Sequence, residues 1–145
     1  MSDLPLAYIA APLNDASPTI VAWHVTRARL LARLAMACNL APFEPHSSIA
    51  AGVYGDDSDP EQRARGMAAS TAICRGVLST PGSVLWALLR DDKRMSDGVS
   101  AEWSIALCAG RPACGLSWAM WRKDVALKAP DLLPEWDRLA VRPTP

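Results

Sequence analysis

Long apolar runs, an excess charge of one sign and paired metal-ligand spacings are all missing from this sequence of 145 residues. The longest apolar stretches, such as residues 82–89, fall far short of the roughly 20 residues that span a bilayer, so no membrane partner is expected. The opening Met1-Ser2-Asp3-Leu4-Pro5 has neither the basic region nor the apolar run of a secretory signal. A cytoplasmic protein is expected. Fifteen Lys and Arg meet fifteen Asp and Glu, and no basic run exceeds Lys93-Arg94 or Arg122-Lys123. Duplex binders need a concentrated basic face to displace counterions, so nucleic acid is not expected as a partner and a small molecule is. The four cysteines, at 38, 74, 108 and 114, form no C-x-x-C pair, and no metal site is expected. Cys38, Cys74 and Cys108 fall in helical apolar patterns and read as small buried hydrophobes in a reducing compartment.

What is present suffices for one folded domain. Half of the residues are hydrophobic and the net charge is zero, which excludes a disordered chain, and the length is enough for a proper core without staples. Among the aromatics, one Phe and two Tyr stand against six Trp, a large amphipathic type enriched at interfaces.

The pattern alternates. Residues 6–11, apolar throughout and closed by Pro12, read as a buried strand. Residues 19–39 carry Ile20, Trp23, Leu30, Leu31, Leu34 and Cys38 near a 3.6 period, with His24, Arg27, Arg29 and Arg33 mostly on other faces. Ser17 or Thr19 caps this helix and Asn39 ends it. Residues 40–43 predict a short edge strand, broken by Pro42 and Pro45, and 44–60 a long loop. A second helix is predicted over 61–78. The apolar run 83–89 predicts a strand covered on both faces, followed by a polar loop, a third helix over 99–109 stopped by Gly110, a fourth strand over 111–117, and one short helix near 121–128. This order predicts an α/β fold: a doubly wound, mainly parallel sheet of four to five strands with helices on both faces. Residues 1–117 are expected to form the ligand-binding α/β domain, and 118–145 a Trp- and Pro-rich tail packed on that domain or on a partner subunit.

Ligands of such sheets bind beyond the carboxyl ends of the strands, where residues 12–17, 44–59 and 90–102 gather. The sharpest constellation is Ser96-Asp97-Gly98-Val99-Ser100-Ala101-Glu102, after the central strand and opening a helix. Gly98 permits close backbone approach, Ser96 and the first-turn amides favour an anion, and the helix dipole favours an ionised Glu102. Read alone, the same residues are ordinary capping and dipole compensation.

Together, Tyr8-Ile9-Ala10-Ala11-Pro12 at the first strand, Pro45-His46 after the second and Ser96-x-Gly98-x-x-x-Glu102 after the third resemble the nucleoside 2-deoxyribosyltransferase superfamily. They are most similar to its small nucleotide N-hydrolase branch, which cleaves deoxynucleoside 5′-monophosphates or CMP. The resemblance spans about residues 6–117. It implies a flavodoxin-like domain that cleaves an N-glycosidic bond, with no cofactor and as a homodimer or higher homo-oligomer. It implies that Glu102 attacks C1′ of the sugar, that Tyr8 hydrogen-bonds and positions this carboxylate, and that Ser96 holds a 5′-phosphate. The glycosyl-enzyme then passes to water or to another base. A carboxylate beneath C1′ suits this chemistry, because the departing base leaves an oxocarbenium-like centre that the carboxylate stabilises and traps.

One position departs from the family. Where it has Asp at the start of the third strand, contacting the sugar, this sequence has Ser83, a neutral hydroxyl. Asp91 or Asp92, at the other end of that strand, supplies a carboxylate for base or sugar, or else is a solvated loop residue. His46 protonates the leaving base or binds phosphate, or is a loop histidine with no role. Arg63 and Arg65 pair with a phosphate or form a solvated helix face, and His24 is given no role. The Trp excess also argues for an oligomer. The rival reading is a non-catalytic nucleotide-binding or sensor module on the same fold, motivated by Ser83.

Overall fold

The computed structural model describes residues 3–53, 55–56 and 58–145. Four strands make one parallel sheet: β1 (Leu6–Ala10), β2 (Ala41–Phe43), β3 (Val84–Leu88) and β4 (Ala113–Leu116), in the order β2-β1-β3-β4. All three pairings are parallel, with Tyr8 of β1 opposite Phe43 on one side and Leu85 on the other. The chain leaves β1 toward β2, then returns to the far side of β1 for β3. The two crossovers therefore diverge at β1 and β3, and the strand-order switch opens a crevice at their carboxyl ends. Pro42 sits in the edge strand β2, where a missing N–H is tolerated.

Side-chain alternation divides the core into two layers. Ile9 of β1 and Leu88 of β3 join helix α1 (Pro18–Ala37), helix α5 (Trp118–Lys128) and helix α6 (Leu133–Arg138). Tyr8, Ala10, Leu85 and Ala87 face helix α3 (Pro60–Leu78) and helix α4 (Asp97–Cys108) instead. In that second layer Gly115 of β4 lets Trp103 lie against the sheet, since a Cβ there would meet the indole at 3.0 Å. Ser17 caps α1, its hydroxyl accepting from the Ile20 N–H at 3.4 Å, and Pro18 takes the first helical position, where its missing N–H costs nothing. Asn39, at φ 60°, ends α1 in the left-handed conformation that Asn tolerates.

Three expectations need correction. The predicted loop 44–60 contains a short helix, α2 (His46–Ala50). Its first turn is fastened by Glu44, whose carboxylate accepts from the Ser47 N–H at 2.9 Å and from the Ser47 hydroxyl at 2.6 Å. Two residues of that stretch, Tyr54 and Asp57, lie outside the described residues. The tail holds more than one helix: α5 starts at Trp118, and a 3-10 turn at Pro130–Leu132 leads into α6. The cysteines do not behave alike either, because Cys74 is buried while Cys108 and Cys114 are exposed.

The Trp excess is taken up within the chain. Trp23, Trp118, Trp121 and Trp136 are all buried in the first layer. Trp118 and Trp136 stack with ring centroids 3.6 Å apart, and each indole N–H donates to the other residue's carbonyl, at 2.8 and 3.0 Å. The tail thus packs on its own domain, and the Trp count ceases to argue for an oligomer. None of the described helices is long and apolar enough to cross a membrane.

Candidate functional site

A cleft of about 690 Å³ opens at the carboxyl ends of β1 and β3. Its walls come from the loop after β1, the α2 turn, α3, the loop after β3 and the start of α4. Of the residues singled out in the sequence, His46, Asp91, Asp92, Ser96, Gly98 and Glu102 all line it, as does Arg63. Arg65 does not; it is exposed and paired with Glu61 at 2.7 Å. Tyr8 lies in the middle of β1, wholly buried beneath the cleft rather than in its wall. Ser83 is the exception. It precedes Val84 at the amino end of β3, fully buried, while the cleft lies at the other end of the strand, beyond Ala87. A substrate in the cleft is out of its reach, because the strand's length separates the two ends.

Glu102 sits in the second turn of α4, which begins at Asp97. The helix field fades within one turn, so the expected help for an ionised carboxylate does not decide the matter. Burial does: it raises the Glu102 carboxyl above its ordinary 4.5, against the opposing pulls of the Tyr8 hydroxyl and His46. Oε2 of Glu102 is buried and has no hydrogen-bond partner among the described residues. The Tyr8 hydroxyl is hydrogen-bonded to Ser70 Oγ at 3.0 Å. Burial first, and then the neighbouring Glu102 charge, raise the Tyr8 hydroxyl far above its usual range. Tyr8 and Glu102 thus act on each other's protons, while the closest partner of the tyrosine hydroxyl is Ser70.

His46 is not a free loop residue. It is buried at the start of α2, with Nε2 2.7 Å from the Ala11 carbonyl and Nδ1 3.1 Å from Glu44 Oε1. Both ring nitrogens are engaged, so neither is left to protonate a leaving group; what His46 offers the cleft is its field on Glu102. Although burial works against it, hydrogen bonds from His46 and Ser47 hold the Glu44 carboxyl below its ordinary range. Ser96 caps α4, its hydroxyl oxygen accepting from the Val99 N–H at 3.3 Å, which leaves the hydroxyl hydrogen as a donor. Asp92 closes its own loop, accepting from the Arg94 N–H at 2.9 Å. Asp91 reaches across to Arg27 at 3.3 Å.

Arg27 is the residue the sequence reading misplaced. It lies on the buried face of α1, in the same stripe as Trp23, Leu30, Leu31 and Leu34, and is 3% exposed. Its guanidinium lies 3.8 Å from the Trp23 ring centroid and 4.6 Å from that of Trp118. Such a cation between two indoles gains from both faces while its charge is out of water. Nε donates to the Leu139 carbonyl at 3.0 Å, which also accepts from the Trp23 indole at 3.0 Å. A charged residue four positions after a Trp on an apolar stripe was the legible signal. His24, given no role, also lines the cleft. Burial, together with the nearby Arg142 and Arg27, lowers it to about 4, so at neutral pH it is an uncharged ring.

Chemically, the cleft offers one partly desolvated carboxylate on the α4 side and a neutral imidazole and stacked guanidinium on the α1 side. No cluster of His, Cys, Asp and Glu among the described residues could hold a metal ion. No curated protein and no solved structure matches the chain. A family model does, over residues 5–114, from just before β1 into β4 and so across β1, β2 and β3. By that match over well more than half its length, the chain belongs to the family described as "Domain of unknown function (DUF7768)".

Proposed function

We propose that the protein cleaves the N-glycosidic bond of a nucleoside or nucleoside 5′-monophosphate, with Glu102 as the nucleophile. One observation carries this reading: a buried, unpartnered carboxylate oxygen on a cleft-lining residue. An unsatisfied buried carboxylate costs stability, and a cationic centre brought against it would recover that cost. The transition state of glycosidic cleavage has such a centre at C1′. A Glu102 oxygen bonds to C1′ as the C1′–N bond breaks, and the bonding pair leaves with the base, which takes a proton from water. Attack by water at C1′ then releases the sugar and returns the carboxylate; attack by another base gives transfer instead. Tyr8, anchored by Ser70, limits the freedom of Glu102 from below.

The rival reading, a non-catalytic nucleotide-binding module, is favoured by the engagement of the Tyr8 hydroxyl with Ser70. Incubation with a panel of nucleosides and their 5′-monophosphates, with and without an acceptor base and read by chromatography, separates the two. Free base, released by the wild type and not by a folded Glu102→Gln protein, is the expected result. Saturable binding without any base release would leave the binding module as the reading.

A further inference from the structure

Beside the main cleft, on the same edge of the sheet, lies a smaller depression of about 130 Å³. Arg27 and Asp91 wall both; Ser117, Trp118 and Ala119, the start of α5, complete the smaller one with Ala140. Three features of it go unused in the fold. The Arg27 side chain is buried, and its second terminal nitrogen has no hydrogen-bond partner among the described residues. Ser117 occupies the cap position of α5 yet makes no side-chain cap hydrogen bond. The first turn of α5 holds no acidic residue, so the amides of Trp118 and Ala119 present their positive end uncompensated.

We infer that this pocket is an oxyanion site, taking a phosphate-sized anion between the Arg27 guanidinium and the N-terminus of α5. The volume is room for a few waters or one small oxyanion. A phosphate there would accept from the Arg27 guanidinium, the Ser117 hydroxyl and the first α5 amides, all charge-assisted bonds. Asp91 is the competitor. Its contact with Arg27 is long, at 3.3 Å, and its side chain is 60% exposed, so it swings to solvent at small cost. The start of α4, another helix N-terminus on this edge, is less suited, because Asp97 stands in its first turn and Ser96 already commits an oxygen to Val99. Since Arg27 belongs to both walls, the anion is either a free ion or the phosphate of a ligand that fills the cleft. The pocket does not depend on the glycosidase reading; base release and anion binding fail or succeed separately.

The test is a titration of inorganic phosphate into the full chain, followed by backbone amide and Arg side-chain NMR. The expected result is a saturable shift of the Trp118 and Ala119 amides together with Arg27 Nε–H. Ala119 is exposed, and Asp is well accepted in a first helical turn, so Ala119→Asp folds while placing a carboxylate in the pocket. It is expected to weaken phosphate about tenfold or more. Asp91→Asn, which removes the competitor, is expected to tighten it about two- to fivefold. A nucleoside 5′-monophosphate run in parallel distinguishes the sources. If it shifts the same α5 amides along with the cleft residues, the ligand's own phosphate fills the pocket. If only inorganic phosphate shifts them, the pocket takes a free ion; both results support the site. Shifts confined to Asp97 and Gly98, no saturable shift at α5, or an affinity untouched by Ala119→Asp would overturn it.

Discussion

Each of the two helical layers brings an ionisable side chain to the cleft, Arg27 in one and Glu102 in the other, and they surround it differently. The α1/α5/α6 layer wraps Arg27 in two indoles, a carbonyl and a carboxylate, and leaves one terminal nitrogen without a hydrogen-bond partner among the described residues. The α3/α4 layer leaves Glu102 with a bare buried oxygen and burial as the chief influence on its proton. A cation that is stacked and hydrogen-bonded is a structural element. A carboxylate left short of partners is poised to interact with something that arrives later. One layer stacks its charge and pairs most of it; the other leaves its carboxylate short of partners.

The sharpest way to break this contrast is Glu102→Gln. On the proposed mechanism, base release falls at least about 10⁴-fold, since removal of a covalent nucleophile costs rate on that scale. Stability moves the other way, because the amide removes a buried charge. A melt at neutral pH should therefore show Tm unchanged or raised while chromatography shows no product. A drop in Tm with turnover retained would make Glu102 a structural residue and erase the difference between the layers.

The complementary change lies in the other layer. Trp136→Ala removes one face of the Trp118 stack and the indole donor to the Trp118 carbonyl. It is expected to cost about 3–5 kcal/mol, as large aromatic deletions in a core do, read as a shift of the denaturant midpoint. At temperatures where the variant remains folded, base release is expected to stay within a few fold of wild type.

The different treatment is also written in pH. The folded-state carboxyl of Glu102 lies above its unfolded value, so its contribution to stability is full below about pH 4.5 and is lost as pH rises through its raised value. On the proposed mechanism turnover needs the ionised form and is expected to rise over that same window. Glu44 runs in the reverse sense: its carboxyl is held low, so its contribution is present above its unfolded value and lost as pH falls through the folded one. Glu102→Gln should flatten the first dependence and leave the second, measured by denaturant unfolding between pH 4 and 8 on the order of one-unit steps.

The layout was legible where periodicity is strong and illegible where one contact decides. The apolar runs of β1 and β3, the proline-broken edge strand β2 and the Asn39 stop come from local rules. The cleft came from strand order alone, and it gathers Ser96, Gly98, Asp91, Asp92, His46 and Glu102. Ser83 was misread because a family position was carried over to the end of the strand opposite the cleft. Arg27 was misread because a charged side chain is assigned to solvent by default; only tertiary neighbours, Trp118 and the Leu139 carbonyl, make its burial tolerable. The α2 turn depends on the Glu44 side chain, and no apolar period announces it.

The smallest expected effect tests the join between Tyr8 and Glu102. Ser70 holds the Tyr8 hydroxyl at 3.0 Å, while Glu102 Oε2 has no partner. Ser70→Ala deletes that competitor and adds no bulk. The Ser70 backbone carbonyl, a long acceptor at 3.5 Å, remains; the charged acceptor nearby is the Glu102 carboxylate, and a donor to the charged form lowers a carboxyl's pKa. The hydroxyl–hydroxyl bond that is lost is worth about 0.5–1.5 kcal/mol, and the new bond to a charged acceptor offsets it. Stability should therefore change by less than about 1 kcal/mol, while the acidic limb of the kcat/KM profile moves to lower pH. Tyr8→Phe, which removes the donor, should move the same limb to higher pH. If both variants leave the limb where it is, Tyr8 does not set the charge of Glu102, and the α3/α4 layer holds its carboxylate by burial alone.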